Sequence, residues 1–199
     1  MAYCTKLNGA GNAQIRSYVE AGGTYVGFCA GAYYGSKTVE FNRNSVSGDE
    51  VYAERELSFF PGSAVGPVLA PYEANSKTGA RIAKIKWIVN GESSAQIHQV
   101  YYNGGCYFSG AASHPNVQVL GYYANKGFEG LAAIIKCKIG NGKALLSGVH
   151  PEYSAQNIQE HVLNSLSQVD RNHFEINIMP RLCDGTHRDV FRHIIEQLS

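Results

Sequence analysis

Between Asn12 and Glu20 the apolar residues Ile15, Tyr18 and Val19 recur at helical spacing, and Ala21-Gly22-Gly23 ends the run. That pattern predicts an amphipathic helix. Thr24-Tyr-Val-Gly-Phe28 then reads as a short buried strand, and Cys29-Ala-Gly-Ala-Tyr-Tyr34 as an abrupt turn into a short helix. Helix, strand, tight turn and helix in succession are the grammar of an α/β sheet. The middle of the chain has a different pattern. Arg81–Val89 is rich in β-branched residues and runs into Asn90-Gly91, a hairpin signal, with Gln96–Tyr102 as the return strand. Further strands are predicted at Val117–Tyr123, Leu131–Lys138 and Lys143–Ser147, the last two joined by Ile139-Gly-Asn-Gly142. Phe41–Ala80 reads as loop, with Pro61, Pro67, Pro71 and several glycines. Ile158–Leu166 and Asp189–Leu198 read as amphipathic closing helices. Without repeats, low-complexity tracts or a linker, residues 1–199 are expected to form a single domain.

Composition narrows the functional classes. A net charge of +1 gives no basic face for nucleic acid or for an acidic membrane surface. The longest aliphatic run, Leu131–Ile135, is far short of the ~18 residues of a membrane span. The start, Met1-Ala-Tyr-Cys-Thr-Lys, lacks the regions of a secretory signal. The five cysteines form no C-x-x-C pair and no zinc spacing. A soluble, cytoplasmic protein with reduced thiols is therefore expected, without a metal or other cofactor. Glycine (22) and tyrosine (13) are abundant, which suggests tight turns and pocket-lining aromatics.

The sharpest chemical signal is Gly27-Phe28-Cys29-Ala30-Gly31. In a G-x-S/C-x-G elbow the small neighbours let a nucleophile sit on a strained turn between strand and helix. The amide of the next residue, Ala30, points where an oxyanion would form, and the helix start favours a thiolate. The competing reading is a buried cysteine in a glycine-rich turn. The second signal is His150-Pro151-Glu152, just past a predicted strand: His150 could serve Cys29 as base, with Glu152 orienting the imidazole. A surface His-Pro turn is the plain alternative. Of the other histidines, His98 falls on a strand and His114 in a loop. His161, His173, His187 and His193 are scattered through the C-terminal part and are expected to be solvated.

Five segments then occur in order: Ala2-Tyr-Cys-Thr-Lys-Leu-Asn-Gly-Ala-Gly-Asn12, Gly27-Phe-Cys-Ala-Gly-Ala-Tyr-Tyr-Gly35, Phe59-Phe-Pro-Gly-Ser-Ala-Val-Gly66, Tyr101-Tyr-Asn-Gly-Gly105 and Leu146-Ser-Gly-Val-His-Pro-Glu-Tyr153. Together they resemble the N-terminal domain of biotin-protein ligases, itself similar to the class I glutamine amidotransferases. The resemblance implies a flavodoxin-like α/β sandwich with an antiparallel β elaboration in the middle. It also implies a catalytic triad of Cys29, His150 and Glu152. Two departures go with it. The family's earlier β/α units, including a Gly-Gly loop that would give a second oxyanion donor, have no counterpart here, which would leave a sheet edge for another copy to cover in a homo-oligomer. No G-R-G-R loop of a biotin ligase module occurs, and Lys86-Trp87-Ile88-Val89-Asn90 only superficially resembles that module's K-W-P-N-D signature.

Three functions fit these residues. One is a regulatory or partner-binding domain that acts beside a biotin ligase module and does not biotinylate by itself. A second is a cysteine hydrolase of small amides, glutaminase-like, in which Cys29 attacks, His150 protonates the leaving amine and Ala30 N–H is half of the oxyanion hole. With one donor missing, a rate loss of ~10²–10³ is expected. The third is a small-molecule sensor whose pocket is walled by Gly31, Tyr33, Tyr34, Tyr101, Tyr102, Asn103 and Gly104. The competing reading is that these tyrosines pack the core.

Overall fold

Two sheets share the work of burying the apolar segments. The computed structural model describes residues 2–43, 49–89, 92–182 and 185–198. In chain order the elements are α1 (Ala2–Leu7), α2 (Ala10–Glu20), β1 (Thr24–Phe28), α3 (Ala30–Gly35), β2 (Ser36–Phe41), β3 (Val51–Glu54) and β4 (Phe60–Gly66). They continue as β5 (Arg81–Val89), β6 (Glu92–Tyr102), β7 (Tyr107–Phe108), β8 (Val117–Tyr123), β9 (Ala132–Ile139) and β10 (Gly142–Ser147). The helices α4 (Ala155–His161), α5 (Gln168–Asn177), α6 (Met179–Leu182) and α7 (Thr186–Glu196) close the chain.

The larger sheet has six strands in the order β1-β10-β9-β8-β5-β6, with only β1 and β10 parallel. The smaller has the order β3-β2-β4-β7, with β2 and β4 parallel. The chain is therefore mixed α/β, as the sequence pattern predicts. In the larger sheet successive residues of one strand enter different cores. Ile134 and Leu145 join Val190 and Ile194 of α7, while Ile135 and Leu146 pack with Val19 of α2, Tyr33 of α3 and Phe60 and Phe108 of the smaller sheet. Both faces are covered, so β9 and β10 carry apolar runs instead of an alternation. A third cluster joins Tyr101 at the end of β6 to Ile158, Phe174, Ile178 and Leu182 of the helices α4 to α6.

Three local expectations change. The segment between Phe41 and Ala80, read as loop, holds β3 and β4. The β2–β4 register slips between the pairs Ser36↔Phe60 and Thr38↔Ser63, so Pro61 and Gly62 occupy a bulge, where a missing N–H and a missing side chain are tolerated. Ile158–Leu166 is not one helix: α4 starts earlier, after the N-cap Ser154, and gives way to a 3₁₀ turn at Leu163–Ser165. The polar helix α5 escaped the apolar pattern, because its fold is set by Ser167, which caps the N–H of Asp170. The Asn90-Gly91 turn and Cys183 lie outside the described residues. Among those residues no helix is long and apolar enough to cross a membrane, and Cys4, Cys29, Cys106 and Cys137 are free thiols.

Candidate functional site

Cys29 stands where β1 stops. Its N–H still donates to Ser147 O at 2.8 Å, in the manner of the β1–β10 ladder, while its carbonyl accepts from the N–H groups of Ala32 and Tyr33 and so starts α3. One residue serving both elements must turn sharply, and Cys29 has φ 46° and ψ −103°. A side-chain-bearing residue at positive φ costs on the order of 1–3 kcal/mol and persists only where its surroundings hold it. The surroundings do so here. Tyr25 Oη donates to Gly31 O at 2.8 Å, and a Cβ on Gly27 would meet that same carbonyl oxygen at 2.5 Å. Ala30 is the first residue of α3, so its N–H has no intrahelical acceptor.

His150 arrives from the end of β10. Ser147 Oγ donates to Val149 O and accepts from Val149 N, which folds the chain over, and His150 N donates to Tyr101 O at 2.9 Å. The ring then lies against Tyr101 and edge-on to Tyr153. Its Nδ1 is 2.7 Å from Glu152 Oε1, while Glu152 Oε2 is buried with no hydrogen-bond partner among the described residues. Burial pulls the His150 pKa down, but hydrogen bonds to Cys29 and then Glu152, together with their charges, outweigh it and lift the value from 6.5 to about 9. Cys29 Sγ also donates to Asn103 O, at 3.5 Å.

Cys29, His150, Tyr101 and Asn103 line one pocket of about 270 Å³ with Tyr72, Lys77, Tyr153, Ile158, Val162 and Phe174. The structure thus brings Cys29, His150 and Glu152 together. Of the other expected pocket residues, Tyr101 and Asn103 line it, whereas Tyr33, Tyr34 and Tyr102 are buried and not part of its lining. Their hydroxyls are anchored elsewhere: Tyr34 on Asn12 Oδ1, Tyr33 on Gly104 O and Tyr102 on Gly105 O. Gly31 offers its carbonyl to Tyr25, and Gly104, at φ +72°, leaves room for the ring of Tyr72.

Sequence reasoning missed Tyr72, Lys77, Tyr153, Ile158, Val162 and Phe174 as lining residues. Phe174 carried a signal, the Ser167-to-Asp170 cap that starts α5; Lys77 carried none. His187 and His98, the first expected to be solvated, are both buried against the α7–β6 contact. Among the described residues no group of three or more His, Cys, Asp and Glu side chains is placed to hold a metal ion.

This is a mixed α/β domain with a cysteine and a histidine–carboxylate pair around one small pocket. Residues 1–198 match the model of the family described as biotin-protein ligase, N terminal, and the chain belongs to that family. It is 41% identical over 157 residues to a biotin–protein ligase of Schizosaccharomyces pombe, covering 78% of this chain and 24% of that protein. It is 36% identical over 171 residues to an uncharacterized protein of Chlamydia muridarum, covering 83% of this chain and 63% of the other. The chain therefore spans about a quarter of the first relative and less than two thirds of the second. A β-galactosidase structure from Rahnella sp. R3 covers 71% of this chain and 18% of its own, with 14% identity and a TM-score of 0.32, too low to imply a common fold.

Proposed function

We propose that this domain is a class I glutamine amidotransferase-like unit that performs thiol-dependent amide cleavage and acts beside a biotin ligase module in the cytoplasm. The observation that carries the reading is the convergence on one pocket of a cysteine at positive φ and a histidine held at 2.7 Å by the Glu152 carboxylate. With its pKa lifted to about 9, His150 is protonated at neutral pH, and an imidazolium beside Cys29 favours the thiolate. The thiolate sulfur attacks the amide carbon, and the carbonyl oxygen gains the negative charge near Ala30 N–H. As the C–N bond breaks, His150 gives its proton to the leaving amine. The neutral imidazole then takes a proton from water, whose oxygen displaces sulfur from the thioester and releases a carboxylic acid.

Tyr72, Tyr101, Tyr153 and Phe174 make the pocket aromatic, and its volume of about 270 Å³ suits a short amide. The second reading, a regulatory domain that holds its ligand without turnover, is favoured by one contact: Cys29 donates to the carbonyl of Asn103, which stabilises the neutral thiol. Incubation with glutamine and with simple primary amides separates the two. Catalysis gives continuous ammonia release and an acyl adduct on Cys29, both lost in Cys29→Ala; the regulatory domain gives at most a saturable complex. If iodoacetamide alkylates Cys29 no faster than a free cysteine and His150→Ala leaves that rate unchanged, the thiol is not activated and the catalytic reading is wrong.

A further inference from the structure

The thiol pocket has one wall that the cleavage chemistry does not use. Cys29 and His150 reach the pocket from the ends of β1 and β10, whereas Lys77 reaches it from the loop between β4 and β5. That loop is irregular but fixed. Lys77 N donates to Asp170 Oδ1 at 2.7 Å and Lys77 O accepts from Ala80 N at 2.9 Å, so the half-buried residue is pinned on both sides of its Cα. Asp170 holds the backbone of Lys77 and not its ammonium. Its Oδ1 accepts from Lys77 N and Ser76 Oγ, its Oδ2 accepts from Ser167 Oγ, and the Lys77 charge is the last of the influences on that carboxylate. Among the described residues the Lys77 side chain has no ion-pair partner. The other cation of the pocket, His150, is answered by Glu152 at 2.7 Å. The described lining residues include no aspartate or glutamate.

We propose that Lys77 selects the substrate of this site: a short primary amide with a carboxylate at its far end and no ammonium group, the monoamide of a small dicarboxylic acid. The inference rests on the amide-cleavage reading and names its substrate class. With the amide carbon against Cys29, the far carboxylate takes a charge-assisted hydrogen bond from Lys77. Hydrolysis adds one water and yields ammonia and the dicarboxylate. An α-ammonium group, as in glutamine, is repelled by the same Lys77 charge. Tyr72, Tyr101, Tyr153 and Phe174 supply apolar surface for the methylene chain between the two ends. A volume of about 270 Å³ is small beside the roughly 300–1,000 Å³ of drug-sized sites, which limits that chain to a few carbons.

The test compares ammonia release by the whole chain from three primary amides. Glutaramate carries one carboxylate, glutamine adds an ammonium group, and butyramide has the glutaramate chain without the charged end. Glutaramate should exceed butyramide in kcat/KM by about tenfold, the worth of one charge-assisted contact, with the difference in KM and shrinking as salt is raised. Glutamine should fall below glutaramate. Lys77→Gln should bring glutaramate down to about the level of butyramide, and Lys77→Arg, which keeps the charge and the backbone bond to Asp170, should restore the preference. Equal kcat/KM for the three amides, or a glutaramate preference that survives in Lys77→Gln, overturns the proposal and leaves amide cleavage standing. Binding separates the two when no ammonia is released: glutaramate is titrated into Cys29→Ala and into Cys29→Ala with Lys77→Gln, followed by backbone amide shifts. Saturable shifts in the first and none in the second support Lys77 as the anion anchor and overturn the cleavage. No saturable shift in either overturns both.

Discussion

The coupling between Cys29 and His150 gives the most direct test of the candidate site, and the perturbation is Cys29→Ala. In the folded chain the His150 pKa is lifted from 6.5 to about 9 although burial acts against it. That net rise corresponds to about 3 kcal/mol in favour of the imidazolium. Solvent takes only part of that, since the His150 side chain is 17% exposed. Cys29 provides the largest upward influence and Glu152 the next. Removing the thiol leaves burial opposed by Glu152 alone, so His150 should titrate clearly below 9. Glu152→Gln should also lower it, and the double variant, with burial unopposed, should titrate below 6.5.

The choice of assay follows from the proton count. A thiolate–imidazolium pair and a thiol–imidazole pair each hold one proton, so a plot of stability against pH does not separate them. A site-specific signal does, and the His150 ring proton shift followed by NMR from pH 5 to about 10.5 supplies it. In Cys29→Ala the pair is gone and the ordinary sign applies. A histidine still raised above 6.5 contributes stability that is complete below that pH and is lost as pH climbs through the new folded value. The double variant should reverse this slope. If His150 in Cys29→Ala still titrates near pH 9, the two residues are not coupled and the reasoning fails.

Three further expectations concern the scaffold. Gly27→Ala puts a Cβ at 2.5 Å from Gly31 O and 2.6 Å from Gly31 C, backbone atoms that cannot yield without moving the elbow; a loss of about 2 kcal/mol or more should appear as a lower melting temperature, together with altered alkylation of Cys29. Phe174→Ala removes a ring that is 1% exposed and packed 5.8 Å from Tyr101; about 3 kcal/mol is expected by denaturant unfolding, the low end of the range because the ring already borders a pocket. Burial raises the Asp170 pKa, but hydrogen bonds from Lys77 N, Ser167 Oγ and Ser76 Oγ and the charge of Lys77 hold it below the usual carboxylate value. Its stabilisation is therefore present above about pH 4 and lost as pH falls through the folded value, so acid unfolding should lose this component in Asp170→Asn.

The site's chemistry was more legible in the sequence than its walls. Gly27-Phe-Cys-Ala-Gly31 encodes the elbow locally, because the crowding that requires glycine at 27 comes from Gly31, four residues on. His150 and Glu152 are two residues apart and need only the turn after β10 to meet. The walls depend on long-range packing: Lys77 is held by Asp170 and Phe174 meets Tyr101, pairs with no common local pattern. β4 was hidden for another reason, since its proline and glycine read as breakers until the bulge opposite β2 accounts for them. The tyrosines posed the opposite problem. Their number suggests a pocket, but most of those named from sequence are committed to the core.

That commitment has a consequence for the site. Tyr33 of α3, Tyr102 of β6 and Tyr123 of β8 donate their hydroxyls to three consecutive carbonyls, those of Gly104, Gly105 and Cys106. Burial pushes all three pKa values upward, which keeps the hydroxyls protonated as donors. Gly105 and Cys106 also press on the backbone of Gly148, where a Cβ on either glycine would collide, and two residues further on is His150. The strand end that presents Asn103 to Cys29 and the turn that presents His150 are thus fixed by the same buried tyrosines, while Phe174 belongs to the helical cluster and Lys77 is held by Asp170 of α5. Tyr123→Phe tests this division. It leaves Cys106 O without its donor, at a cost of about 1–3 kcal/mol, and should change the rate of Cys29 alkylation although Tyr123 does not line the pocket. Phe174→Ala, which does alter the lining, should change ligand affinity and leave that rate near wild type. The reverse result would place control of the thiol in the helical wall instead of the tyrosine-anchored core.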